Sequence, residues 1–525
     1  MAGRRQAPVG AGPGIGVRLR PYQVEAARAV LDSVFSGRGL TISVMMARQG
    51  GKNELSAQLE VLLLTAHILI DADAIKCAPT FEPQARLSMR RLWTRLEQAG
   101  LGPWCQREGS GAVRLGRARQ VFLSAEPGSN VVGHTARILL EVDESQDVDR
   151  EKFDRDFRPM AAVANATTVH YGTAWEETSL LEQVKQSNLE LERRNGLRRH
   201  FEYDWQVVAR HNPAYGLFVE AERQRLGESH PLFLTQYCLR TLAGGGRLLS
   251  TQQRAQLQGD QQRLSRRQPG ETYVAGLDLA GQGNLEGGDE GLPGEGAGHA
   301  ARPGGGRDPS TSSGRDPSPL RPFGRLRPQQ AQGAAGSGRD PSAGSGRDAS
   351  VLTIARVILP PSDALVQEPR LEVVEHCAWV GEPHDRLYER LVDLLREVWR
   401  VRRVAVDATG LGETLAAWLA RALGRDTVAP VRFSAESKSR LGYNLLAAVN
   451  GGRLKVYAGD GSAEYRTLWQ EVERARVSYR ANRTMNFYVD PSEGHDDYLM
   501  SLALTVEAAT GARPRTARGR LRGEQ

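Results

Sequence analysis

A turn that carries glycine and lysine follows an apolar run in residues 40–54, LTISVMMARQGGKNE. When a buried strand ends in a tight turn and continues as a helix, backbone N–H groups and the positive end of the helix dipole meet at the helix start. Such a turn can hold phosphate, with Lys52 at the β- and γ-phosphates and a side-chain oxygen of the next residue on a metal ion. Met46 at the first glycine position and Asn53 in place of Ser or Thr depart from the usual phosphate-loop pattern. Taken alone, the segment fits a phosphate loop and an ordinary strand, turn and helix with a surface lysine equally well.

A second apolar run, RILLEVDESQ at residues 137–146, ends in two carboxylates. Such a run fits a strand that is buried on both faces of a parallel sheet, whose C-terminal end carries chemistry. Asp143 would hold Mg²⁺, directly or through water, and Glu144 would polarise the water that attacks the γ-phosphate. An acidic pair at a strand end is also common in solvated turns, but the phosphate-loop candidate upstream favours the catalytic interpretation.

Two further segments carry weaker signals for nucleotide chemistry. A strand predicted at residues 167–171 leads into Gly172 and Thr173, a turn of small residues placed to sense the γ-phosphate. Gln23 lies in a helix ahead of the phosphate-loop strand, and its amide matches the donor and acceptor of an adenine edge. Without the motif that follows it, Gln23 would fit a surface glutamine better.

A separate set of carboxylates lies in the second half of the chain. Asp278 and Asp407 each stand near or at the end of an apolar, strand-like run, and Asp496 and Asp497 precede an apolar helix. Acids that converge in this way can hold a pair of Mg²⁺ or Mn²⁺ ions, as in-line cleavage of a phosphodiester requires. Each acid alone also fits a solvated turn or a helix start. We interpret His495 as a neighbour or cap of this site and not as a ligand.

Composition narrows the class of protein. The chain has 525 residues, with 69 Lys and Arg against 62 Asp and Glu, a net charge of +7 and a pI near 9.3, which favours a polyanionic partner. Four widely separated cysteines without a C-x-x-C pair argue against zinc ribbons and a disulfide framework and favour a reduced, cytosolic protein. No apolar run reaches the roughly 18 residues that span a bilayer, so we expect no membrane partner. Residues 1–20 also lack the apolar core of a secretory signal.

Elements that alternate between strands and helices must position these residues. The length suits two or three domains, and the patterns predict an α/β fold whose N-terminal part is a parallel sheet flanked by helices. For residues 176–240, charged helical stretches with aromatics favour a small helical subdomain over a base-stacking surface. Besides the two runs already described, we predict strands at 74–78, 167–171, 272–280, 351–357, 371–380 and 401–407, and helices at 55–70, 385–398 and 498–506.

Residues 281–349 differ from the rest of the chain. They are rich in Gly and Pro, a composition that cannot build a core. The sequence GRDPS occurs at 306–310, 314–318 and 338–342, and GRDAS follows at 346–350, directly before an apolar strand. We therefore predict a disordered insertion, expanded by repetition, between two strands.

In their order along the chain, these motifs resemble those of the large terminase subunits of tailed bacteriophages. The segment RQGGKN at 48–53 is similar to the phosphate loop of that family, which commonly has R-Q-x-G-K and lacks the first glycine, and Val142, Asp143 and Glu144 resemble its Walker B strand with the catalytic glutamate. The resemblance implies that Arg48 also contacts phosphate and that Gly172 and Thr173 form the coupling motif. The ATP-binding set that it implies is Gln23, Arg48, Gln49, Gly50, Gly51, Lys52 and Asn53.

The resemblance also implies an architecture and an activity. It implies a P-loop ATPase domain that drives double-stranded DNA into a procapsid and a ribonuclease H-like nuclease domain that cuts concatemeric DNA. ATP with Mg²⁺ and two Mg²⁺ or Mn²⁺ ions in the nuclease site would be the cofactors. A small terminase subunit, the portal protein and a homo-oligomeric ring of motors would be the partners, in the cytoplasm of a bacterial host. The expected divisions are 1–18 (arm), 19–240 (ATPase, with the helical subdomain 176–240), 241–270 (linker), 271–507 (nuclease, with the insertion 281–349) and 508–525 (basic tail).

Two other functions fit part of the sequence. A helicase-like ATPase with a degenerate ribonuclease H fold would separate nucleic-acid strands. A decayed prophage product would retain DNA or capsid binding without ATP turnover, as Asn53 and the repeats beside Asp278 could indicate.

Overall fold

The computed structural model describes residues 18–280, 349–480 and 482–510. Most of the predicted arm, insertion and basic tail lies outside the described residues. The helices are α1 (Pro21–Phe35), α2 (Lys52–Ala66), α3 (Arg86–Gln98), α4 (Arg150–Lys152), α5 (Leu180–Asn195), α6 (Trp205–His211), α7 (Pro213–Leu226), α8 (Pro231–Gln236), α9 (Thr251–Leu257), α10 (His384–Asp393), α11 (Gly412–Leu423), α12 (Ala435–Asn450), α13 (Ala463–Arg474) and α14 (Asp497–Thr510). The strands are β1 (Thr41–Met46), β2 (Asp73–Ala78), β3 (Cys105–Glu108), β4 (Ala112–Leu115), β5 (Ala118–Ser124), β6 (Leu139–Val142), β7 (Thr167–Gly172), β8 (His200–Tyr203), β9 (Gly245–Arg247), β10 (Thr272–Asp278), β11 (Ala349–Ile358), β12 (Arg370–Val380), β13 (Arg403–Asp407), β14 (Val428–Val431), β15 (Leu454–Val456), β16 (Arg476–Tyr479) and β17 (Met485–Tyr488).

An eight-stranded sheet organises the N-terminal half, with the order β3-β4-β5-β2-β6-β7-β1-β8. The strands from β5 to β8 in this order pair in parallel, whereas β3 and β4 add an antiparallel edge. Strands β6 and β7 are buried along their whole length, as strands of a parallel sheet that is covered on both faces are. Separate hydrophobic cores, represented by Leu59 and Phe157, pack against the sheet. Strand β7 lies between β1 and β6, so it separates the two predicted nucleotide motifs.

A six-stranded mixed sheet organises the C-terminal half, with the order β14-β13-β10-β11-β12-β15. Strands β10, β11 and β12 are antiparallel, while β13 pairs in parallel with β10. Helix α14 packs directly on β10. The approach is so close that a Cβ at Gly276 in β10 would lie 2.2 Å from the carbonyl oxygen of Ser501 in α14. A third sheet, β9-β16-β17, contains a hairpin made of β16 and β17. The described residues belong to one compact unit.

The structure confirms the predicted α/β class and extends two segments. The expected helical subdomain at 176–240 also contributes a strand, β8, which pairs with β1 at the edge of the main sheet. Its side chains Phe201 and Tyr203 are buried there. The expected linker at 241–270 contains β9 and α9, and it buries Leu248 and Leu257 in the C-terminal core. The predicted helix at 385–398 begins at His384, and its last turn is a π-turn from Leu394 to Val398.

In the ranges described above, no helix is both long and apolar enough to cross a bilayer.

Candidate active sites

The predicted phosphate loop lies between β1 and α2. Gln49 and Gly51 have positive φ angles of 62° and 94°, a conformation that glycine adopts without strain. A Cβ at Gly51 would lie 2.6 Å from Gln23 Nε2, and a Cβ at Gly50 would lie 2.7 Å from the carbonyl oxygen of Ala47. Both glycines are therefore required by close approaches of the loop to its neighbours.

Hydrogen bonds from other elements hold this loop in place. Tyr22 donates to the carbonyl oxygen of Gly50 at 2.6 Å, and Gln23 Nε2 donates to that of Gly51 at 2.8 Å. Gln23 Oε1 accepts from the backbone N–H of Arg20 at 2.8 Å. Both amide atoms of Gln23 thus bind the protein itself in this arrangement, and its contact with adenine stays a prediction.

Arg48 is exposed at the start of the loop. Its guanidinium donates to Gln236 Oε1 at 2.6 Å, and its carbonyl oxygen accepts from the Tyr215 hydroxyl at 2.8 Å. The side chain is therefore directed towards α8. Its contact with phosphate stays a prediction.

Lys52, Asp143 and Glu144 come together at the C-terminal ends of β1 and β6. The Lys52 ammonium forms an ion pair with Glu144 and lies 3.6 Å from Asp143 Oδ1. Asp143 is buried, and it accepts hydrogen bonds from the Ser88 hydroxyl at 3.4 Å and from the Glu144 N–H at 3.1 Å. The sheet thus brings together two motifs that lie far apart in the sequence.

The charges at this centre stabilise each other. Burial alone would raise the pKa of Glu144, but Lys52 and Arg483 outweigh it and lower that pKa to about 2. Burial would lower the pKa of Lys52, but the carboxylates of Glu144 and Asp143 raise it above its ordinary value. Glu144 is therefore an ionised carboxylate at neutral pH, able to accept a proton once Lys52 turns to another anion.

The metal position of the nucleotide site has a suitable donor. Asn53 Oδ1 is buried and has no hydrogen-bond partner within the described residues. An amide oxygen and a carboxylate such as that of Asp143 are both oxygen donors of the kind that a hard cation such as Mg²⁺ accepts. The substitution of Asn for Ser or Thr at this position is therefore compatible with a metal site.

Gln146 links Glu144 to the predicted coupling segment, and sequence reasoning did not select it. Its Oε1 accepts from the Thr173 N–H at 3.1 Å, and its Nε2 donates to Glu144 Oε2 at 2.7 Å. A Cβ at Gly172 would lie only 1.9 Å from Gln146 Oε1. Glycine at that position thus leaves room for this amide, and the only sequence signal for Gln146 is its place two residues after Glu144.

Arg483 also contacts this centre and was missed. Its Nε and Nη2 donate to the two carboxylate oxygens of Asp147 at 2.9 and 2.7 Å, and Nη2 lies 3.4 Å from Glu144 Oε2. The arginine lies between β16 and β17, in the C-terminal half of the chain. No local pattern in the sequence indicates such a long-range contact.

The predicted nuclease acids gather at one end of the second sheet. Asp278 ends β10 and Asp407 ends β13, which pairs in parallel beside it. Asp497 begins α14, and its Oδ2 accepts from the Ala349 N–H at 2.8 Å. Asp407 Oδ1 accepts from the Thr409 N–H at 2.9 Å.

Electrostatic repulsion marks this acidic cluster. Burial, followed by the charges of Asp497, Asp407 and Asp496, raises the pKa of Asp278 well above its ordinary value. Burial also raises the pKa values of Asp407 and Asp496. Each of these carboxylates is therefore destabilised in its ionised form, and a bound cation would stabilise that form.

Glu471 belongs to the same cluster, although sequence reasoning did not select it. It is buried on α13 and accepts from the Leu499 N–H, near the start of α14, at 2.9 Å. Burial, with Asp497 and Asp496 nearby, raises its pKa well above the ordinary value. Within the described ranges, no three Asp, Glu, His or Cys side chains stand close enough to hold a metal ion. The donors therefore have the right chemistry for Mg²⁺ or Mn²⁺ but do not form a closed ligand set.

Similarity to solved structures covers both halves of the chain. The large terminase of a thermophilic bacteriophage, in complex with ADP, aligns with 94% of this chain and 100% of its own, at 9% sequence identity and a TM-score of 0.50. The fold is that of a phage large terminase. A second crystal form of the same phage protein aligns with 93% of this chain and 98% of its own, at 10% identity and a TM-score of 0.50. No family sequence model and no curated protein sequence matches the chain.

The terminase fold explains where both sites lie. In each sheet the predicted site residues lie at or after the C-terminal ends of parallel strands, where side chains from neighbouring strands converge. Glu144 and Lys52 follow β6 and β1, and Asp278 and Asp407 end β10 and β13. At such low sequence identity, the likeness establishes the fold and leaves the activity to be argued from the residues.

Proposed function

We propose that this chain is a phage large terminase subunit, which hydrolyses ATP to drive double-stranded DNA into a procapsid and cuts concatemeric DNA with metal ions. The observation that carries the proposal is the convergence of Lys52, Asp143 and Glu144 beside a glycine-bearing loop. A second, separate cluster of carboxylates at Asp278, Asp407 and α14 supports the nuclease activity.

In the proposed ATPase reaction, the backbone N–H groups of the loop and of the start of α2 bind the phosphates. Lys52 then exchanges its ion pair with Glu144 for one with the phosphate oxygens, because its ammonium lies on a flexible stem and pairs with either anion. Glu144 then orients the attacking water and accepts its proton. Asp143 and Asn53 would hold Mg²⁺, which when bound neutralises phosphate charge.

The backbone of Glu144 supports a functional role for this residue. It adopts φ 46° and ψ 47°, in the left-handed region, although it is not a glycine. Such a conformation costs on the order of 1–3 kcal/mol and persists where the surrounding structure enforces it. The hydrogen bond from Gln146 and the ion pair with Lys52 are contacts that direct this side chain towards the loop.

In the proposed nuclease reaction, Asp278, Asp407, Asp496 and Asp497 would hold two Mg²⁺ or Mn²⁺ ions. These ions, when bound, supply an activated water and stabilise the leaving oxygen. Glu471 holds the start of α14 through Leu499 and so orients Asp497. The burial of Asp278 limits the access of water to the cluster.

The proposed partners follow from charge and fold. A net charge of +7 suits double-stranded DNA as a polyanion. The fold that this chain shares with a protein named as a large terminase supports a small terminase subunit, a portal protein and a ring of copies as partners, in the host cytoplasm.

Reciprocal variants test the proposal. Glu144→Gln should abolish ATP turnover and leave cleavage of plasmid in Mn²⁺ within about threefold of wild type, because the base is lost and the acidic cluster is intact. Asp407→Ala should have the opposite effect on the two activities. Plasmid cleavage that survives Asp407→Ala would reject the nuclease site, and ATP turnover that survives Glu144→Gln would reject the ATPase site.

A further inference from the structure

The hairpin of β16 and β17 contacts Trp175, just after the predicted coupling residues. Trp175, two residues after Thr173, donates from its indole N–H to the carbonyl oxygen of Arg480 at 2.9 Å. The ring of Tyr479 stands nearly perpendicular to the Trp175 ring, at 83° and 6.0 Å between centroids. The tip of the hairpin is thus docked against the segment that follows β7.

A tight turn at the hairpin tip fixes the position of Arg483. The Arg483 N–H donates to the carbonyl oxygen of Arg480 at 2.9 Å, and Asn482 Oδ1 accepts from the Thr484 N–H at 3.1 Å. Arg483 itself has a positive φ of 64°. A non-glycine residue in this conformation costs energy, which the surrounding contacts must supply. The turn therefore presents the guanidinium in one defined direction.

The guanidinium binds two carboxylates of the ATPase centre at once. Its two parallel hydrogen bonds to Asp147 are the planar, bidentate arrangement that arginine forms and lysine cannot reproduce. The same Nη2 lies 3.4 Å from Glu144 Oε2. Gln146 joins the same two carboxylates, since its Nε2 donates to Glu144 at 2.7 Å and to Asp147 at 3.0 Å. Asp147 and Arg483 thus form a clamp on one side of Glu144, opposite Lys52.

Within the described residues, Lys52 and Arg483 are the cations that contact Glu144. If Lys52 turns to phosphate, as the proposed function requires, Arg483 remains as the cation that holds the Glu144 carboxylate. We propose that Arg483 is a positioning residue, by which the nuclease half fixes Glu144 for ATP hydrolysis. The inference rests on the proposed ATPase function, and it adds that turnover requires the docked hairpin.

The same hairpin also adjoins elements of the acidic cluster. The Met485 N–H donates to the Ser439 hydroxyl at 3.1 Å, next to Lys438, whose charge acts on Asp278 and Asp407. After the end of β17, the chain leads to Asp496 within a few residues. One short element thus lies between the two sites and gives a physical contact by which one can respond to the other.

Steady-state ATP turnover by the full chain tests the role of Arg483. Arg483→Gln should lower kcat about tenfold or more and change KM for ATP by less than about threefold, because Glu144 loses its positioning while the phosphate loop is intact. Arg483→Lys should recover part of the kcat, since a single charge is restored without the bidentate contact. Arg480→Gln is the matched control, because it removes one positive charge from the same turn. Arg480 is exposed, and its guanidinium makes no hydrogen bond or ion pair in the described part of the chain, so this variant should keep the wild-type kcat.

A double-mutant cycle with Asp147→Asn separates positioning from a loss of folding. If Arg483 acts through the clamp, Arg483→Gln should lower kcat much less in the Asp147→Asn background than in the wild type. Equal effects in both backgrounds, or a kcat that Arg483→Gln leaves unchanged, would overturn the inference. A fall in melting temperature with no recovery in Arg483→Lys would also overturn it. Glu144→Gln, measured beside these variants, distinguishes a failure of the Arg483 proposal from a failure of the ATPase proposal. Turnover that survives Glu144→Gln would reject the ATPase proposal itself.

Discussion

Glu144 shows how much of the proposed ATPase site depends on single contacts. Lys52, Gln146 and Arg483 hold its carboxylate, and its backbone is strained. Lys52 and Arg483 lie far from Glu144 in the sequence, whereas Gln146 follows it by two residues. The side chain is therefore oriented by two long-range contacts and one local one.

Gly172 offers a test of this arrangement at the residue scale. Gly172→Ala would place a methyl group 1.9 Å from Gln146 Oε1 and 2.6 Å from Leu181 Cδ2. We expect a loss of stability of about 1–3 kcal/mol from overpacking and a large loss of ATP turnover, because Gln146 must leave Thr173. Gly244→Ala is the matched control, since nothing lies within 4 Å of a Cβ there. Thermal unfolding and ATP turnover measure both effects, and a Gly172→Ala protein that behaves like Gly244→Ala would contradict the assigned contact.

Asp278 offers a second test, in the acidic cluster. Asp278→Asn removes a buried charge that repels Asp407, Asp496 and Asp497. In a chelator the variant should therefore melt above wild type, because the folded state no longer holds this charge beside the other carboxylates. Mn²⁺ should raise the melting temperature of the wild type and have much less effect on the variant. Asp363→Asn, on the exposed surface, should match the wild type in both conditions. An equal Mn²⁺ shift in Asp278→Asn would contradict a metal site that includes this acid.

The sequence predicts the candidate site residues that lie in motifs, but not the residues that contact them from other elements. The sequence indicates Lys52, Asp143 and Asp407 because each stands at or after the end of an apolar run and has a side chain that suits phosphate or metal. Glu471 lies within a helix whose other residues gave no reason to select it. Arg483 is one of many arginines, and its role depends on a turn that only the folded chain places near Asp147.

At the element scale, burial decided which strands the sequence revealed. Strand β10 is mostly an apolar run, as a strand covered on both faces predicts, whereas β7 is equally buried but mixes Thr and His with Val and Tyr. Strand β8 has four residues and a glutamate among its aromatics, so its sequence does not stand out from the predicted helical region around it. Helix α9 places only Leu257 in the core, and its Gln-rich sequence predicts a linker.

The pairing of β10 with β11 gives a prediction at this scale. Asp278 pairs with Val351, and the Ala280 N–H donates to the Ser350 hydroxyl at 3.0 Å, so the two ends of the insertion lie side by side. Deletion of residues 283–346 should leave the fold and plasmid cleavage intact, because loop-closure entropy changes by only about 0.6 kcal/mol for each doubling of length. Melting temperature and cleavage of the deletion variant, measured beside the full chain, test this. A melting temperature lowered by several degrees, or cleavage lost while ATP turnover persists, would show that the insertion contributes structure or function.

At the scale of the whole molecule, contacts between the two halves connect the sites. Trp175 binds the hairpin, and His230 in the ATPase half contacts the Tyr443 carbonyl oxygen in α12 at 3.1 Å. Sequence periodicity reports which face of an element is buried but not which distant element covers it. These contacts therefore could not be predicted from the sequence, although both folds could.

His230 makes the contact between the halves sensitive to pH. Burial lowers its pKa to about 4, although the Tyr443 carbonyl partly offsets the burial. The unfolded chain, with an ordinary pKa near 6.5, then binds more protons below that pH, so stability is full above about 6.5 and falls as the pH drops towards 4, by about 1.4 kcal/mol per unit. The difference in unfolding free energy between wild type and His230→Asn should therefore shrink by about 2 kcal/mol from pH 7 to pH 5. A difference that does not change with pH would contradict a buried, neutral His230.

ATP turnover with and without double-stranded DNA tests the proposed motor most directly. The full chain should hydrolyse ATP, and DNA should stimulate the rate. Glu144→Gln should bind nucleotide as tightly as wild type and show no turnover under either condition, because the phosphate loop is intact and the base is lost. No turnover by the wild type, with DNA affinity intact, would identify a protein that only binds DNA. Turnover in Glu144→Gln at the wild-type rate would show that hydrolysis does not occur at this site.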